Sequence, residues 1–113
     1  MRDTTLFLKD ILMTIHSIEA FIEGMSYAEF LNDDRTSSAV IRKLEIIGEA
    51  TKHVSDEVRQ QNPQIPWKEM AGMWDKLIHF YHGVDYQLVW QTIKLRLPQV
   101  KQALQTALSD ETS

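Results

Sequence analysis

Apolar residues recur every three or four positions along most of this chain, and that period constrains its fold more than any other feature of the sequence. A period of three to four residues places apolar side chains on one face of an α-helix. The 113 residues include 4 Gly and 3 Pro, too few for the closely spaced turns of an all-β chain. The sequence therefore predicts an all-α protein.

Four apolar stripes predict four main helices, which short connections would arrange as an antiparallel four-helix-type bundle. The stripes are Leu8, Ile11, Leu12, Ile15, Ile18, Ile22, Met25; Val40, Ile41, Leu44, Ile47, Ala50, Val54, Val58; Trp67, Met70, Met73, Trp74, Leu77, Ile78, Tyr81; and Leu88, Val89, Ile93, Leu97, Val100, Leu104, Leu108. The second stripe predicts one helix of about five turns, ended by residues 61–66. The third predicts a helix from Pro66 to His82, where Gly83 follows as a stop. Pro98 predicts a kink or a division of the last helix.

Capping residues mark the other helix boundaries. Ser26 and Glu29 have the spacing of a capping box, which predicts an additional short helix before the second main helix. Asp33 or Asp34 can cap that second main helix, and Asp85 can cap the last one.

Length and composition predict one domain over residues 1–113, with a tail that frays after about residue 108. A chain of this size buries roughly 65% of its unfolded surface, enough for a core without a disulfide or a structural metal. The absence of cysteine excludes disulfides, thiolate zinc sites and cysteine nucleophiles, and it fits a reducing, cytoplasmic setting. Charges interrupt the apolar residues of positions 1–10, which argues against a signal peptide or a membrane span. We expect a soluble protein with no membrane partner.

The net charge of −4 argues against a generic basic nucleic-acid binder, but the charge is unevenly distributed. Residues 1–34 hold seven acids and two bases, a net charge of −5, whereas residues 35–113 hold nine acids and ten bases, a net charge of +1. Three of the four histidines lie in the nearly neutral part. A local site for a phosphate-bearing partner is therefore compatible with the composition.

Several large aromatic residues cluster in the second half of the chain, and they exceed the apparent needs of one small core. They are Trp67, Trp74, Tyr86 and Trp90. Aromatic residues are enriched in protein interfaces, so we expect a homodimer face here.

The densest group of polar and aromatic side chains lies in residues 71–85. On the predicted helix, Asp75 and His79 are i,i+4 neighbours, so the carboxylate could orient the imidazole and raise its basicity. His79 and His82 are i,i+3 neighbours, but no third ligand stands at a suitable spacing, so no metal site is predicted. Tyr81 would lie about 200° round the helix from His79, so both serve one site only where the helix ends or a second chain completes it.

A purely structural interpretation accounts for the same residues. A His near a helix C-terminus complements the helix dipole, a Tyr anchors the edge of a core, and Trp74 would fill the bundle. Residues 42–45 and the pair of Glu49 and Lys52 are most simply a solvated helix face. Since the sequence has no Gly-rich phosphate loop, Ser/His/Asp set or acidic metal cluster, the residue pattern by itself leaves both interpretations open.

Four ordered blocks of the sequence resemble one known family. They are residues 40–50 (VIRKLEIIGEA), 65–73 (IPWKEMAGM), 77–85 (LIHFYHGVD) and 89–90 (VW). Over nearly its whole length the chain is similar to HepT-like toxins of the HEPN superfamily, which are small α-helical ribonucleases. The resemblance implies a homodimer with the active site at its two-fold interface, and an endoribonuclease that needs neither a metal nor a cofactor. It also implies an RNA substrate and a partner, a nucleotidyltransferase antitoxin of the MntA type.

The family's catalytic motif is an Arg, four residues, a His, one residue and a Tyr. His79 and Tyr81 match its His and Tyr, whereas Trp74 stands at the Arg position and Asp75 at a position usually held by Asn. In RNA cleavage a base removes the ribose 2′-OH proton, the oxygen attacks the adjacent phosphorus, and a fixed cation stabilises the charged transition state. His79 could transfer the proton, but a neutral indole cannot replace the cation, a loss that commonly costs a factor of about 10² or more in rate. The resemblance therefore implies a ribonuclease whose activity is reduced or abolished in this chain.

Two hypotheses account for this departure from the motif. In the first, Trp74 replaces an ancestral Arg as a spontaneous or deliberate inactivating change in a toxic chain. In the second, Lys76, Arg42 or Arg96 supplies the missing charge.

The resemblance also assigns a role to Tyr81, as the residue that the antitoxin adenylylates. A bulky anionic nucleotide beside the RNA site would repel RNA phosphate and fill the same space. The leading hypothesis is thus the toxin component of a HEPN/MNT toxin–antitoxin system. The main alternative is a non-catalytic HEPN module that binds a nucleotide or RNA beside a nucleotidyltransferase, and a purely structural dimerising bundle is the third.

Overall fold

The computed structural model of the chain describes residues 2–73, 75–79 and 83–112. The α-helices in these ranges are α1 (Arg2–Ile22), α2 (Tyr27–Asn32), α3 (Asp34–Lys52), α4 (Asp56–Gln61), α5 (Trp67–Ala71), α6 (Tyr86–Gln91) and α7 (Leu97–Thr112). The other elements are a 3-10 turn (Asp75–Leu77), β1 (Ile78–His79), β2 (Gly83–Val84) and a π-helical segment (Thr92–Arg96). The all-α prediction is confirmed, with one pair of two-residue strands added to the helices.

The long helix α1 occupies the centre of the bundle, because it packs against both α3 and α7. The face it buries is the predicted first stripe, and the stripes of α3 and α7 close over it. The buried residues of these three helices include Leu8, Ile11, Ile15, Ile18, Val40, Leu44, Ile47, Val100, Leu104 and Ala107. Over the described residues, no helix is both long enough and apolar enough to cross a membrane.

The predicted caps around α2 are present. The Ser26 hydroxyl accepts a hydrogen bond from the Glu29 N–H at 3.2 Å, and the Glu29 carboxylate accepts one from the Ser26 N–H at 3.0 Å. Of the two candidate caps for α3, Asp33 is the one used, because its carboxylate accepts from the Thr36 N–H at 3.0 Å. These side chains satisfy N–H groups that lack partners within their helices.

The prediction of one helix through the second stripe is wrong, because α3 ends at Lys52 and α4 begins at Asp56. The Ser55 hydroxyl accepts from the Val58 N–H at 3.2 Å and so caps a new helix. Arg59 then turns back and donates to the Thr51 carbonyl at 3.0 Å, which satisfies the open end of α3. Ser55 followed by Asp56 and Glu57 is a typical helix start, so the sequence contained the sign of this second helix.

The prediction of a helix from Pro66 to His82 is also wrong. The helix α5 ends at Ala71, and the chain continues through the 3-10 turn into β1. Met73 follows the end of α5 and Leu77 ends the 3-10 turn, yet both side chains are buried, as they would be on the face of a continued helix. Apolar spacing therefore did not reveal that end of α5.

Pro98 lies two residues after the end of the π-helical segment, and this segment is the division that the sequence predicted in the last helix. Proline lacks the N–H that an α-helix would direct at residue 94, and its ring clashes with that carbonyl. The wider hydrogen-bond spacing of a π-helix accommodates the defect while the chain remains helical. The helix α7 then continues to Thr112, beyond residue 108, where the sequence predicted fraying.

Two of the four aromatic residues from which a dimer face was predicted, Trp67 and Trp90, make contacts within the chain, and the dimer face itself stays a prediction. Trp67 is 6% exposed and its ring lies 6.3 Å from that of Phe7. The Trp90 ring lies 5.1 Å from that of Phe30 and 6.1 Å from that of Tyr27. Trp74 lies outside the described residues.

Replacing Leu44 by Ala should lower the free energy of unfolding by about 2–5 kcal/mol, because the side chain is 0% exposed and leaves a cavity between packed helices. The matched control is Leu95→Ala, since Leu95 is 65% exposed and its replacement should change stability by no more than about 0.5 kcal/mol. Urea unfolding followed by circular dichroism measures both. Equal losses in the two variants would contradict the packing described.

Candidate active site

The motif residues lie where α5 gives way to the strand pair. Asp75 begins the 3-10 turn, and His79 is the second residue of β1, opposite Gly83. Trp74 and Tyr81 lie outside the described residues, and so does the side chain of His79. For the motif, the structure therefore describes the backbone of Asp75 and His79 and not the arrangement of the motif side chains.

One helical relationship expected within the motif is wrong. Asp75 and His79 are not i,i+4 neighbours on a helix, because His79 belongs to a strand. The expected i,i+3 spacing of His79 and His82 and the expected 200° separation of Tyr81 from His79 involve residues 81 and 82, which lie outside the described residues. Among the residues described, no group of three His, Asp or Glu side chains could hold a metal ion.

The ends of the motif loop are held together by backbone hydrogen bonds. Ile78 pairs with Val84 in an antiparallel ladder, and the Asp85 N–H donates to the Leu77 carbonyl at 2.8 Å. Gly83 has a φ of +77°, a conformation that side-chain-bearing residues rarely adopt. The loop between Leu77 and Asp85 is therefore closed at its base, which fixes the backbone of His79.

Two neighbouring elements anchor this closed loop to the bundle. Leu77 is buried in the core cluster on one side of the base. On the other side, the Asp85 carboxylate accepts from the Leu88 N–H at 3.0 Å and so caps α6 as predicted. The motif thus sits on a rigid foundation although it lies outside a helix.

The side chain of Lys52, at the end of α3, contacts the motif segment at Asp75. Its Nζ lies 3.2 Å from both carboxylate oxygens of Asp75 and 3.4 Å from Oε1 of Glu49. The hydrogen bond to Asp75 is the largest of the effects that raise the pKa of the Lys52 ammonium. This contact places a cation beside the residue that follows Trp74 in the chain.

No spacing of residues in the sequence indicates the contact of Lys52 with Asp75. The sequence predicted the pairing of Lys52 with Glu49, which is present, but Asp75 is 23 residues away from Lys52 along the chain. Only a fold in which α5 lies beside α3 brings them together.

Two of the three cations named as replacements for the motif Arg have other partners among the described residues. Arg42 pairs with Glu45 on its own helix. Arg96 Nε lies 2.6 Å from Oε1 of Glu69. The side chain of Lys76 lies outside the described residues.

The sequence comparisons support the resemblance seen in the motif blocks. The family model described as "Ribonuclease HepT-like" matches residues 11–107, most of the chain. The chain belongs to the HepT-like ribonuclease family. No solved structure matches it.

Curated relatives of this HepT-like chain cover nearly its whole length. A candidate RNase of Methanocaldococcus jannaschii is 47% identical over 109 residues, which are 96% of this chain and 94% of the relative. A protein of Thermococcus cleftensis named as its probable ribonuclease HepT is 47% identical over 95 residues, 84% of this chain and 86% of the relative. A candidate RNase of Caldanaerobacter subterraneus is 39% identical over 105 residues, 93% of this chain and 94% of the relative.

Replacing Asp75 by Asn should lower the pKa of Lys52 toward its ordinary value of 10.5, because the hydrogen bond to Asp75 is the main effect that raises it. With a raised pKa, the contact stabilises the folded chain fully below about pH 10.5 and loses this effect as the pH rises through the folded value. An NMR titration of the Lys52 side chain measures the change. Asp34→Asn, about 27 Å from Lys52 along α3, should leave the Lys52 pKa unchanged, and an equal pKa in Asp75→Asn and the parent chain would refute the contact.

Proposed function

We propose that this chain is the toxin component of a toxin–antitoxin pair, a metal-independent endoribonuclease by lineage whose proton transfer depends on His79. The observation that carries the proposal is its membership of the HepT-like ribonuclease family together with the His79 and Tyr81 spacing. The closed base of the motif loop supports it further, because catalytic groups need a fixed backbone.

The proposed reaction begins when His79 accepts the proton of a ribose 2′-OH. The 2′ oxygen then attacks the adjacent phosphorus, the bond from phosphorus to the 5′ oxygen breaks, and that oxygen takes up a proton as it leaves. Negative charge accumulates on the phosphate oxygens in the transition state, where a fixed cation lowers the barrier. The reaction therefore consumes no reagent besides the RNA and protons that exchange with the solvent.

Trp74 is the proposed reason for weak or absent cleavage in this chain. An indole carries no charge, so it cannot take over the role of the motif Arg. Lys52 contacts Asp75, the residue after Trp74 in the chain, yet its ammonium is already bound to two carboxylates, Asp75 and Glu49. We infer that Lys52 replaces the lost Arg poorly.

A homodimer with the active site at its two-fold interface is part of the same proposal. One face of α1 supports it, because Leu6, Met13 and Phe21 are all more than 40% exposed. At 100° per residue these three side chains fall within about 80° of the helix circumference. Asp10 and Ser17 lie on the same face of α1, so this face mixes apolar and polar residues as the interfaces of many protein complexes do.

The second candidate function is a non-catalytic module that binds RNA or a nucleotide beside a nucleotidyltransferase. The neutral residue at position 74 favours it, since a module that only binds has no need of a catalytic cation. The ribonuclease and the binding module predict different results when a cation is placed at position 74. Only the ribonuclease would then cleave RNA.

Trp74→Arg should cleave RNA at least about 10² times faster than the parent chain, because it restores a cation to the transition state. The same variant with His79→Ala should lose this gain. The assay uses EDTA-treated protein, purified without its partner, and gel-resolved RNA fragments. Lys52→Ala, Lys76→Ala, Arg42→Ala and Arg96→Ala in the parent chain test the other cations, and an unchanged residual rate excludes each in turn. If Trp74→Arg cuts no RNA, the enzyme proposal fails and the binding module takes its place.

Tyr81 should gain AMP when the chain is incubated with ATP and a nucleotidyltransferase antitoxin. In this step the Tyr81 hydroxyl oxygen attacks the α-phosphorus of ATP, loses its proton, and displaces pyrophosphate. Intact-protein and peptide mass spectrometry detect the added AMP and locate it. Tyr81→Phe should remain unmodified, and AMP on any other residue with Tyr81 unmodified would reject the assignment.

A further inference from the structure

We propose that a surface groove beside α5 binds the phosphates of single-stranded RNA and leads the strand toward the motif loop. This basic groove has a volume of about 730 Å³ and is lined by Arg59, Lys68, Arg96 and Glu69, with Pro63 and Pro66 among its apolar walls. The inference rests on the proposed function, because it takes RNA as the substrate.

Charge is the first argument for a phosphate-bearing occupant. The lining holds three cations and one carboxylate, whereas the whole chain carries a net charge of −4. A local positive surface on an acidic protein attracts a polyanion to one place and repels it from others. Phosphate contacts provide most of the affinity of proteins for nucleic-acid strands.

Arg59 is held in place without a carboxylate neutralising it in its described contacts. Its Nε donates to the Val54 carbonyl at 3.3 Å and its terminal nitrogen donates to the Thr51 carbonyl at 3.0 Å. A guanidinium has five N–H donors in a planar fork, so these two bonds orient the group and leave capacity for phosphate. The groove therefore has one preoriented positive charge.

Arg96 and Lys68 complete the positive lining from two other elements. The ion pair of Arg96 with Glu69 engages Nε, and the terminal nitrogens of a guanidinium are the ones that bind phosphate in pairs. Lys68 is an exposed residue of α5 that carries a mobile point charge. Cations from α4, α5 and the π-helical segment thus face one groove.

The apolar walls suit the sugars and bases of a single strand. Pro63 is exposed and Pro66 is half-buried, so both rings present apolar surface to an occupant. Sites that bind single strands with little sequence preference combine a positive groove with surfaces on which bases stack, usually aromatic rings, and here the proline rings would provide that surface.

The groove also has a direction. A second hollow of about 280 Å³ adjoins it, because Glu69 and Arg96 line both. This hollow is lined further on by Met73 and Leu77, and Leu77 lies two residues before His79. The two hollows together therefore extend from the basic groove to Leu77, at the base of the motif loop.

Charge reversal tests the groove through RNA affinity, measured by fluorescence anisotropy with a labelled single-stranded RNA. All proteins carry His79→Ala, which prevents cleavage during the measurement. Lys68→Glu should weaken binding by about tenfold and reduce the slope of log K against log salt by about one. The matched control is Arg35→Glu, which changes the net charge equally at an exposed position. Arg35 lies about 24 Å along α3 from Thr51, the residue that Arg59 of the groove contacts, so this variant should weaken binding less than about twofold.

A second variant changes affinity in the opposite direction, which loss of folding cannot imitate. Glu69→Gln removes the one carboxylate of the lining and frees Arg96, so it should tighten RNA binding by about threefold to tenfold. Equal effects of Lys68→Glu and Arg35→Glu, or no gain from Glu69→Gln, would overturn the groove.

The outcomes separate this inference from the function on which it rests. If Trp74→Arg cuts RNA while Lys68→Glu leaves affinity unchanged, the groove is wrong and the ribonuclease stands. If Lys68→Glu weakens binding while Trp74→Arg cuts nothing, the groove is confirmed and the protein is a non-catalytic binding module. If Lys68→Glu leaves RNA binding intact but prevents adenylylation by the antitoxin, the groove serves the protein partner and the inference is overturned.

Discussion

The packing of α1 against both α3 and α7 is the interaction on which the rest of the molecule depends. Leu8, Ile15 and Ile18 are fully buried along α1, and each such side chain contributes about 1.5–3 kcal/mol through burial. That packing fixes the end of α3, where Lys52 and Thr51 lie, and the start of α7, which follows Arg96. Both the motif loop and the basic groove are built on these two ends, so the chemistry of the surface depends on the alignment of three helices inside.

The local departure from helix at the motif follows from competition between two ways of burying the same residues. Met73 and Leu77 have the four-residue spacing of one helix face, yet both are buried here in backbone that is not α-helical, so apolar spacing does not reveal the departure. The left-handed Gly83 and the Asp85 cap favour the hairpin, because together they end the loop and begin α6. The result places His79 on a short strand, closed at its base, instead of on a helix whose last turn could fray.

Electrostatics links the site to the proposed chemistry in two ways. The motif segment has exchanged a cation for a neutral indole at position 74, while Lys52 approaches from α3 and is held by Asp75 and Glu49. Farther along the surface, three cations gather in a groove of an otherwise acidic chain. In this proposal the protein keeps its means of holding RNA and loses much of its means of cutting it.

The sequence by itself determined the helical class, the stripes of α1, α3 and α7, the caps at Ser26 and Asp85, and the family. Each of these follows from residues close together in the chain or from ordered motif blocks. Tertiary structure alone decided the contact of Lys52 with Asp75, the packing of Trp67 and Trp90 within the chain, and the meeting of three cations in one groove. These depend on how elements far apart in the sequence pack together, and the free energy of that packing comes from the whole core, which no local pattern of residues encodes.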